Sequence, residues 1–542
     1  MQRISKHVCS LFIVGLAGAT FAFDYNGVIT AWAVGTAEEA STVQQRTTED
    51  WRPTSIDAVS PGSTLTRFVT PYVRNTDSHF KTVLMRSNIS STTLNSYRSA
   101  GWRIEDVERT GSTSYSALFT RNDENPVPTG WFVNLTTEQV TSLLGSTRRI
   151  LELDSVVISG VRKFNGVYVS NTGTAAKAWG WMPDATLKEI MDWAKANAMR
   201  VIDIDPRSTS RFSAVFVKRK SGERVYVGAG PWSAISELQE ASGTRPVVIN
   251  KLEGENFYAA VYVNNVNAQS ARIADSLVNN SGGGRIGAYV QEIGGSVLVN
   301  LRGTQKFYPC SAIKVLIHAA GLAAVPTDQL NTYKVNSVYL GTRAYKMMVN
   351  SDNAETYILN SHFGTDYING YGRSSLGTTT NTFIKDHFGN TPPDNEWNAT
   401  ATLRDMTNIY AKRSVLGTAR VAKFRAWMYT DANSGLFDSA SVSLANSLGL
   451  TQEQYNLWKS RVRFEFKAGN VYFGSNTSYN THWVNVGRIS LPQGSGSLFT
   501  SKHYAFGHFV NDSVNGYSMT AAWAHSAALV REQMIESMLK FK

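Results

Sequence analysis

Ser311 and Lys314 stand one helical turn apart at the head of an apolar run, in the segment YPCSAIKVLIHAAGL that begins at Tyr308. Residues at i and i+3 share one face of a helix. A partly buried lysine loses stabilisation of its charged form, so its amine can act as a base toward the neighbouring hydroxyl. The spacing alone is weak evidence, because Ser78 and Lys81 repeat it in SHFK.

Two further polar motifs follow Ser311 along the chain. The segment MMVNSDNAETYILN contains Ser-Asp-Asn at 351–353, and FEFKAGNVYF contains Lys-Ala-Gly at 467–469, at the end of a predicted strand. Ser-Asp-Asn alone can be a helix cap, which Ser and Asp form readily. The order of the three motifs sets them apart from similar segments, because Lys220-Ser221-Gly222 precedes any Ser-Asp-Asn and Ser78 lies in a repeated region.

Ser-x-x-Lys, then Ser-Asp-Asn, then Lys-Thr-Gly is the ordered signature of the serine β-lactamases and penicillin-binding enzymes, and about residues 268–542 resemble that family. The resemblance implies that Ser311 attacks a carbonyl carbon to form an acyl-enzyme, with Lys314 as its base. It also implies that Ser351 passes a proton to the leaving group and that Asn353 positions Lys314 and the substrate amide. Lys467 would supply positive potential. The N–H groups of Ser311 and of Asn470, which follows Gly469, would form the oxyanion hole.

The third motif departs from the family at Ala468, where the family has Thr or Ser. In the family that hydroxyl binds the carboxylate of a β-lactam or a peptide C-terminus, so recognition of a free carboxylate should weaken by about 1.5–3 kcal/mol. Arg488, on the next predicted strand, is either a replacement anchor or a surface arginine. The deacylating glutamate of β-lactamases has no secure counterpart: Asp394 and Glu396 are either general bases or solvated loop acids.

Cys310 and His318 are weaker candidates near Ser311. His318 lies on the Ser311 face of the predicted helix and is predicted to be a core histidine, and Cys310 a small buried residue. Since Cys9 lies in the predicted signal peptide, the mature chain keeps one cysteine and no internal disulfide. No Cys/His metal-ligand spacing exists, so neither a metal nor a cofactor is predicted.

The N-terminus carries Arg3 and Lys6 before an apolar run, which predicts a signal peptide over residues 1–37 and an exported, extracellular or periplasmic protein. Cleavage after Ala22, Ala33 or Ala37 stays open, as does an uncleaved anchor. No later stretch is long and apolar enough to span a bilayer. The net charge of +11 includes no Lys/Arg cluster of nucleic-acid type, so no nucleic-acid partner is predicted.

After a predicted linker at 38–77, the chain repeats itself four times over residues 78–265. Strand-like phrases begin at Tyr115, Phe164, Phe212 and Tyr258, at spacings of 49, 48 and 46 residues. A helix-like stretch and an extended segment with Arg near its start precede each phrase, so the predicted unit is strand, helix, strand, strand. Repeats of this length stack so that neighbours share a core. The aromatic residues are predicted to be core and the region to be a scaffold or recognition platform without catalytic groups.

From about residue 266 the pattern changes to a helix, a hairpin, the Ser311 helix, a long mixed stretch, three strands and a C-terminal helix. This order predicts an antiparallel sheet with helices packed on it, an α+β architecture. We therefore predict a β-lactamase-like serine hydrolase domain over 266–542.

The layout of a β-rich repeat region followed by such a domain resembles the polyglycine hydrolases and their bacterial relatives, secreted endopeptidases that cut glycine-rich linkers. This resemblance implies a peptide or peptidoglycan-like substrate that is cut inside the chain, where no free carboxylate needs an anchor at Ala468. Two alternatives stay open. One is a β-lactamase or D,D-peptidase acting on β-lactams or cell-wall peptides, and the other is a surface-polymer binding protein with a vestigial catalytic fold.

Overall fold

The computed structural model describes residues 32–59, 66–75, 81–121, 127–173, 176–220, 223–280, 285–385, 399–428, 435–473, 480–513 and 519–542. The chain forms two compact units, Met1–Val266 and Asn267–Lys542. None of the described helices is both long and apolar enough to cross a membrane.

The first described elements of this unit form a small four-stranded antiparallel sheet, in which the last strand along the chain pairs with each of the other three. Its elements are β1 (Trp32–Glu39), α1 (Ala40–Thr48), β2 (Trp51–Pro53), β3 (Asp57–Ala58) and β4 (Arg67–Arg74). The linker prediction is therefore wrong over residues 38–59 and 66–74, and the end of the predicted signal peptide at residue 37 falls within β1. A register shift between Gly35 and Glu38 interrupts β1, and β2 and β3 have only three and two residues, so their sequences carry no clear strand period.

Four three-stranded antiparallel sheets follow, each with the element order strand, helix, strand, strand. They comprise β5 (Val83–Ile89), α2 (Ser91–Ser99), β6 (Trp102–Arg109) and β7 (Tyr115–Arg121); β8 (Thr129–Leu135), α3 (Thr137–Leu144), β9 (Arg148–Ile158) and β10 (Val161–Ser170); β11 (Trp179–Ala185), α4 (Leu187–Ala196), β12 (Met199–Pro206) and β13 (Phe212–Lys218); β14 (Val225–Gly230), α5 (Trp232–Ser242), β15 (Thr244–Lys251) and β16 (Tyr258–Asn264). In each sheet the last strand lies in the middle.

Local sequence accounts for the helix starts and the strand cores of these sheets. Helices α2, α3 and α4 follow Ser90, Thr136 and Thr186, whose hydroxyls accept a hydrogen bond from the N–H group three residues later. The aromatic residues that the repeat pattern singles out are buried, as expected for core residues: Tyr115, Phe164, Phe212 and Tyr258.

Hydrophobic clusters join each sheet of the first unit to the next, and one joins the last sheet to the first. The successive clusters include Phe68 with Leu118, Phe119 with Val167, Ile150 with Val215, Ile204 with Val261, and Ile249 with Val69. The five sheets therefore close into a ring, and the segment that was predicted to be a linker supplies the closing sheet.

The second unit contains the remaining elements: α6 (Ala268–Asn280), β17 (Arg285–Glu292), β18 (Val297–Leu301), α7 (Lys314–Ala324), β19 (Lys334–Val335), β20 (Val338–Tyr339), α8 (Leu340–Met348), α9 (Asn353–Phe363), α10 (Thr365–Tyr371), β21 (Phe383–Ile384), β22 (Ala399–Thr400), α11 (Leu403–Lys412), α12 (Thr418–Ala426), α13 (Gly435–Leu448), α14 (Gln452–Arg461), β23 (Arg463–Phe473), β24 (Asn480–Pro492), β25 (Ser501–Ser513), α15 (Met519–Leu529) and α16 (Arg531–Leu539). Strands β18, β17, β25, β24 and β23 form one antiparallel sheet in that order, with β23 at an edge. This agrees with the predicted α+β class.

Helix α7 lies in the centre of the core of the second unit. Apart from Lys314 and His318 it is apolar on all sides, and its residues from Lys314 to Leu322 are buried. A helix that is hydrophobic all round belongs in an interior. The core around it includes β-sheet residues such as Val484 and Val486 and residues of α11 such as Met406. The first residue of α7 is thereby held at a fixed place next to the sheet edge.

Candidate active site

Ser311 lies in the short turn of 3₁₀-helix, Cys310–Ile313, that leads into α7. Cys310, just before it, has a positive φ of 49°. A non-glycine residue in this conformation costs about 1–3 kcal/mol and is kept where the surrounding structure requires it. The tight entry turn places Ser311, which is half-buried, three residues before Lys314, the first residue of the buried helix.

Lys314 is fully buried, and its Nζ donates hydrogen bonds to Ser351 O and Asn353 Oδ1, both at 2.7 Å. Burial, reinforced by the charge of Lys467, lowers the pKa of Lys314 to about 7, although Asp352 opposes the shift. A neutral amine has two N–H donors and one lone pair. Since the two acceptors take both donors, the lone pair stays free to accept the proton of Ser311.

The Ser-Asp-Asn motif lies at the start of α9, and its middle residue caps the helix. Asp352 accepts a hydrogen bond from Glu355 N at 3.0 Å. The helix-cap interpretation of this motif is thus correct for Asp352, while its neighbours contact the two lysines. Ser351 has a positive φ of 57°. In this conformation its carbonyl oxygen accepts a hydrogen bond from Lys314, and its hydroxyl oxygen accepts one from Lys467.

Lys467 comes from strand β23 and holds the hydroxyl of Ser351. Its Nζ donates to Ser351 Oγ and to Ala468 O, both at 2.9 Å. Burial lowers its pKa to about 8. Because Ser351 Oγ accepts from the ammonium group, its own O–H is free to donate to a leaving group.

Gly469 brings the edge strand against the start of the nucleophile helix. A Cβ at this position would lie 2.5 Å from Ser311 N and 2.6 Å from Ala312 N, so only glycine fits. Asn470 follows it on β23, opposite Trp483, and is exposed. The two segments that carry the predicted oxyanion-hole donors, Ser311 N–H and Asn470 N–H, therefore meet at this contact.

Ala468 and Lys467 point to opposite faces of the sheet, because successive strand residues alternate. Ala468 is opposite Asn485, whose Nδ2 donates to Ala522 O and Ser526 Oγ on α15. The half-buried methyl group of Ala468 thus lies on the α15 face of the edge strand.

Arg488 does not lie beside Ala468. Its cross-strand partner is Glu465, so the register puts it three positions further along and on the other face. Glu465 also pairs with Arg413 and, at 3.3 Å, with Arg425. Burial and the charge of Arg425 lower the pKa of Arg488 to about 10. This placement does not favour Arg488 as a replacement carboxylate anchor.

His318 and Cys310 do not join the catalytic groups. His318 Nε2 is 3.1 Å from Phe424 O, its ring stacks on Phe424, and burial lowers its pKa to about 4. Cys310 is buried, which raises its pKa and keeps the thiol protonated. Both fit the core roles that the sequence suggested.

Several predicted positions lie outside the described residues: Asp394, Glu396, Ser78, Ser221 and Gly222. Sequence reasoning missed one participant, the backbone carbonyl of Ser351 as an acceptor for Lys314. No residue type signals such a role, since every residue has a carbonyl group.

Residues 268–430 match a family model described as the beta-lactamase enzyme family, a range that includes Ser311, Lys314, Ser351 and Asn353 and ends before Lys467. No curated protein matches the chain. Similar solved structures include a class A beta-lactamase from Clostridium kluyveri (15% identity, 49% of this chain, 98% of that chain, TM-score 0.37). A beta-lactamase from Streptomyces albus G has 16% identity and a TM-score of 0.36, and the match covers 50% of this chain and 100% of that chain. A beta-lactamase from Xanthomonas campestris pv. campestris has 20% identity and a TM-score of 0.34, and the match covers 49% of this chain and 96% of that chain. The family match and the site geometry support a β-lactamase-like serine hydrolase in the second unit.

Proposed function

We propose that this protein is a secreted serine peptidase that forms an acyl-enzyme on Ser311 and cuts internal, glycine-rich or other small-residue peptide segments. The observation that carries the proposal is the buried Lys314 amine. Its two donors are engaged by Ser351 O and Asn353 Oδ1, and its pKa is lowered to about 7. A lysine in this state is a base near neutral pH.

The proposed reaction begins when Lys314 takes the proton of Ser311 and Ser311 Oγ attacks the carbonyl carbon. The negative charge that develops on the carbonyl oxygen is stabilised by the N–H groups of Ser311 and Asn470. The C–N bond then breaks, and the leaving nitrogen takes up a proton through the hydroxyl of Ser351, which Lys467 holds at 2.9 Å. Water hydrolyses the acyl-enzyme and returns Ser311. Asp394 and Glu396 are the proposed candidates for the base of that step.

The preference for internal peptide bonds rests on position 468, which binds the terminal carboxylate in the β-lactamase family that the three motifs resemble. Residue 468 offers a methyl group in place of a hydroxyl, and the register separates Arg488 from it. A carboxylate held there would lose a charge-assisted hydrogen bond, whereas a neutral internal amide loses little. Secretion rests on Arg3 and Lys6 followed by the apolar N-terminal run.

The direct test is intact-mass spectrometry after incubation with a fluorophosphonate probe, together with cleavage of a peptide that has an internal glycine run. Wild type should gain one probe mass and cut within the run. Ser311→Ala should do neither while it keeps its circular dichroism spectrum. Ser78→Ala, which removes the serine of another Ser-x-x-Lys sequence, should behave as wild type. Acylation of the Ser311→Ala protein would show that the nucleophile is a different residue.

A β-lactamase or D,D-peptidase is the second candidate function, and the family match over residues 268–430 favours it. Hydrolysis of a chromogenic cephalosporin at ordinary enzyme rates, with no cleavage of the glycine-rich peptide, would support this candidate over the first. Failure of every acylating probe to label wild type would instead favour a binding protein with a vestigial site.

A further inference from the structure

The inner-edge strands of three successive sheets in the first unit share a pattern of one arginine and two acids. A β-bulge in each strand adds one residue between the arginine and the first acid, so all three side chains share a face despite their odd spacing. The sets are Arg103, Asp106 and Glu108 in β6; Arg149, Glu152 and Asp154 in β9; and Arg200, Asp203 and Asp205 in β12.

Hydrogen bonds tie some of these acids to the backbone of the preceding sheet. Asp106 Oδ2 accepts from Ile56 N at 2.8 Å, and Asp203 Oδ2 accepts from Leu153 N at 2.6 Å. Asp57 of β3 closes the series, because its Oδ2 accepts from Lys251 N of the last sheet at 2.8 Å. The acids therefore lie where the inner edges of the sheets meet.

The resulting carboxylate cluster consists of Asp57, Asp106, Glu108, Glu152, Asp154, Asp203 and Asp205, all of which are buried or nearly so. Burial raises the pKa of each, and neighbouring carboxylates add to the shift for Asp106, Glu108 and Glu152. Arg103 and Arg200, which share the face, form ion pairs with Glu105 and Glu223. Buried carboxylates that crowd together need either bound protons or a cation.

Asp106, Glu108 and Glu152 come closest to one another. Each offers an oxygen atom, and these atoms lie within 4.8 Å of one another. Among the described residues, Asp106 Oδ1 and Glu152 Oε2 have no hydrogen-bond partner, although these residues are only 3% and 8% exposed. An unpaired buried acceptor costs about 1–3 kcal/mol, more when it is charged.

We propose that Asp106, Glu108 and Glu152 bind a divalent cation of the calcium class inside the ring of sheets. Calcium takes carboxylate oxygens at about 2.3–2.6 Å, so oxygens on opposite sides of the ion lie about 5 Å apart, a spacing that the three carboxylates match. The ligand set contains oxygen alone, which disfavours zinc and copper. Waters or neighbouring cluster carboxylates complete the coordination.

The ion would link consecutive sheets of the ring. Two of its ligands come from β6 and the third from β9, while Asp106 is also hydrogen-bonded to the first sheet through Ile56 N. Binding to the folded ring alone stabilises it in proportion to the logarithm of ion concentration over Kd. The proposal is independent of the chemistry at Ser311.

The test uses the full chain, stripped with EDTA at pH 7.5 and titrated with calcium chloride, with native mass spectrometry to count bound ions. We expect one tightly bound calcium per chain and a Tm increase of roughly 5 °C or more at a concentration a hundredfold above Kd. Glu152→Gln should raise Kd more than tenfold. Asp192→Asn, which changes an exposed carboxylate on α4, should bind as wild type does.

A second variant keeps the test decisive if Glu152→Gln does not fold. Glu152→Asp retains the charge but shortens the side chain, so it should fold and bind calcium more weakly. The proposal is overturned if stripped wild type binds neither calcium, magnesium nor manganese at pH 7.5. Equal calcium affinity in wild type and Glu152→Gln would also overturn it, and the cluster would then be held by shared protons.

Discussion

Lys314 can serve as a base only because its charged form is destabilised. Burial contributes most to the lowering of its pKa, and Lys467 adds to it. Both lysines are anchored on Ser351, one through the carbonyl oxygen and the other through the hydroxyl. Lys314, Ser351 and Lys467 therefore form one connected hydrogen-bond network.

The lowered pKa predicts how activity depends on pH. Below pH 7 Lys314 is protonated and cannot accept the Ser311 proton, so kcat/KM should rise about tenfold per pH unit up to about pH 7. Above about pH 8 it should fall again, because Lys467, whose pKa is lowered to about 8, loses its positive charge. Lys314→Arg should be inactive, since a guanidinium has a pKa above about 12. Lys423→Arg, outside the site, is the matched control. Activity of the Lys314→Arg enzyme at neutral pH would exclude the base role.

Ala468 predicts the preference between internal and terminal substrates. Ala468→Thr restores a hydroxyl, and it should shift acylation toward substrates with a free carboxylate by up to the factor of about ten that ~1.4 kcal/mol represents. The measurement compares acylation rates of wild type and variant on matched peptide amides and free acids. If wild type already prefers the free acid, the internal-bond specificity is wrong.

The contact between strand β23 and the start of α7 determines the geometry of the nucleophile. The strand is at the edge of its sheet, so its free side faces Ser311 instead of another strand. Gly469 allows this approach, because the space where a side chain would begin is filled by Ser311 N and Ala312 N.

Gly469→Ala should therefore separate the strand from the helix start. A displacement of about 1 Å at reacting groups can cost 10²-fold in rate, and we expect kcat/KM to fall by at least that factor while the fold persists. Gly494→Ala is the control, since nothing lies within 4 Å of its added methyl group. Circular dichroism and probe labelling rates distinguish misplacement from unfolding. Labelling of Gly469→Ala at the wild-type rate would contradict the close-packed arrangement.

Closure of the ring gives the first unit a contact between segments far apart in the chain. Ile249 of the last sheet is fully packed in a cluster with Val69 of the first. Every junction between successive sheets of the ring has a cluster of this kind. This arrangement explains why the segment before the repeats has to fold with them.

Removal of the closing contact should weaken the whole ring. Ile249→Ala creates a cavity at a site that is 0% exposed, and we expect a loss of about 2–5 kcal/mol in the free energy of unfolding of the first unit. Val157→Ala, at a side chain 56% exposed, should change that value by less than about 0.5 kcal/mol. Guanidinium unfolding followed by tryptophan fluorescence measures both. Equal stability of the two variants would argue against a closed ring.

Patterns local in sequence predicted much of this architecture. The apolar run after Lys314 indicates a buried helix, the repeat period indicates strand, helix, strand, strand, and the order of three short motifs indicates the residues that surround Lys314. These features depend on residues that are close together in the sequence. The side-chain periodicity and the capping residues of a single strand or helix are therefore visible in the sequence itself. Asp352 shows the limit of such reasoning, since a single motif provides both a helix cap and three hydrogen bonds to Lys314 and Lys467.

Features that depend on pairing between distant segments could not be predicted. The ring closes through the sheet of β1 to β4, in which β1, β2 and β3 pair with β4 while Val69 of β4 packs against the last sheet. The register between β23 and β24 places Arg488 opposite Glu465 and away from Ala468. A shift of this pairing by one residue would have moved the Arg488 side chain to the other face of the sheet relative to its neighbours on β23. The bulge in β6 that brings Arg103 onto the same face as Asp106 and Glu108 likewise arises from strand pairing. Side-chain periodicity is encoded along a strand, but the partner and offset of that strand are set by packing across the fold.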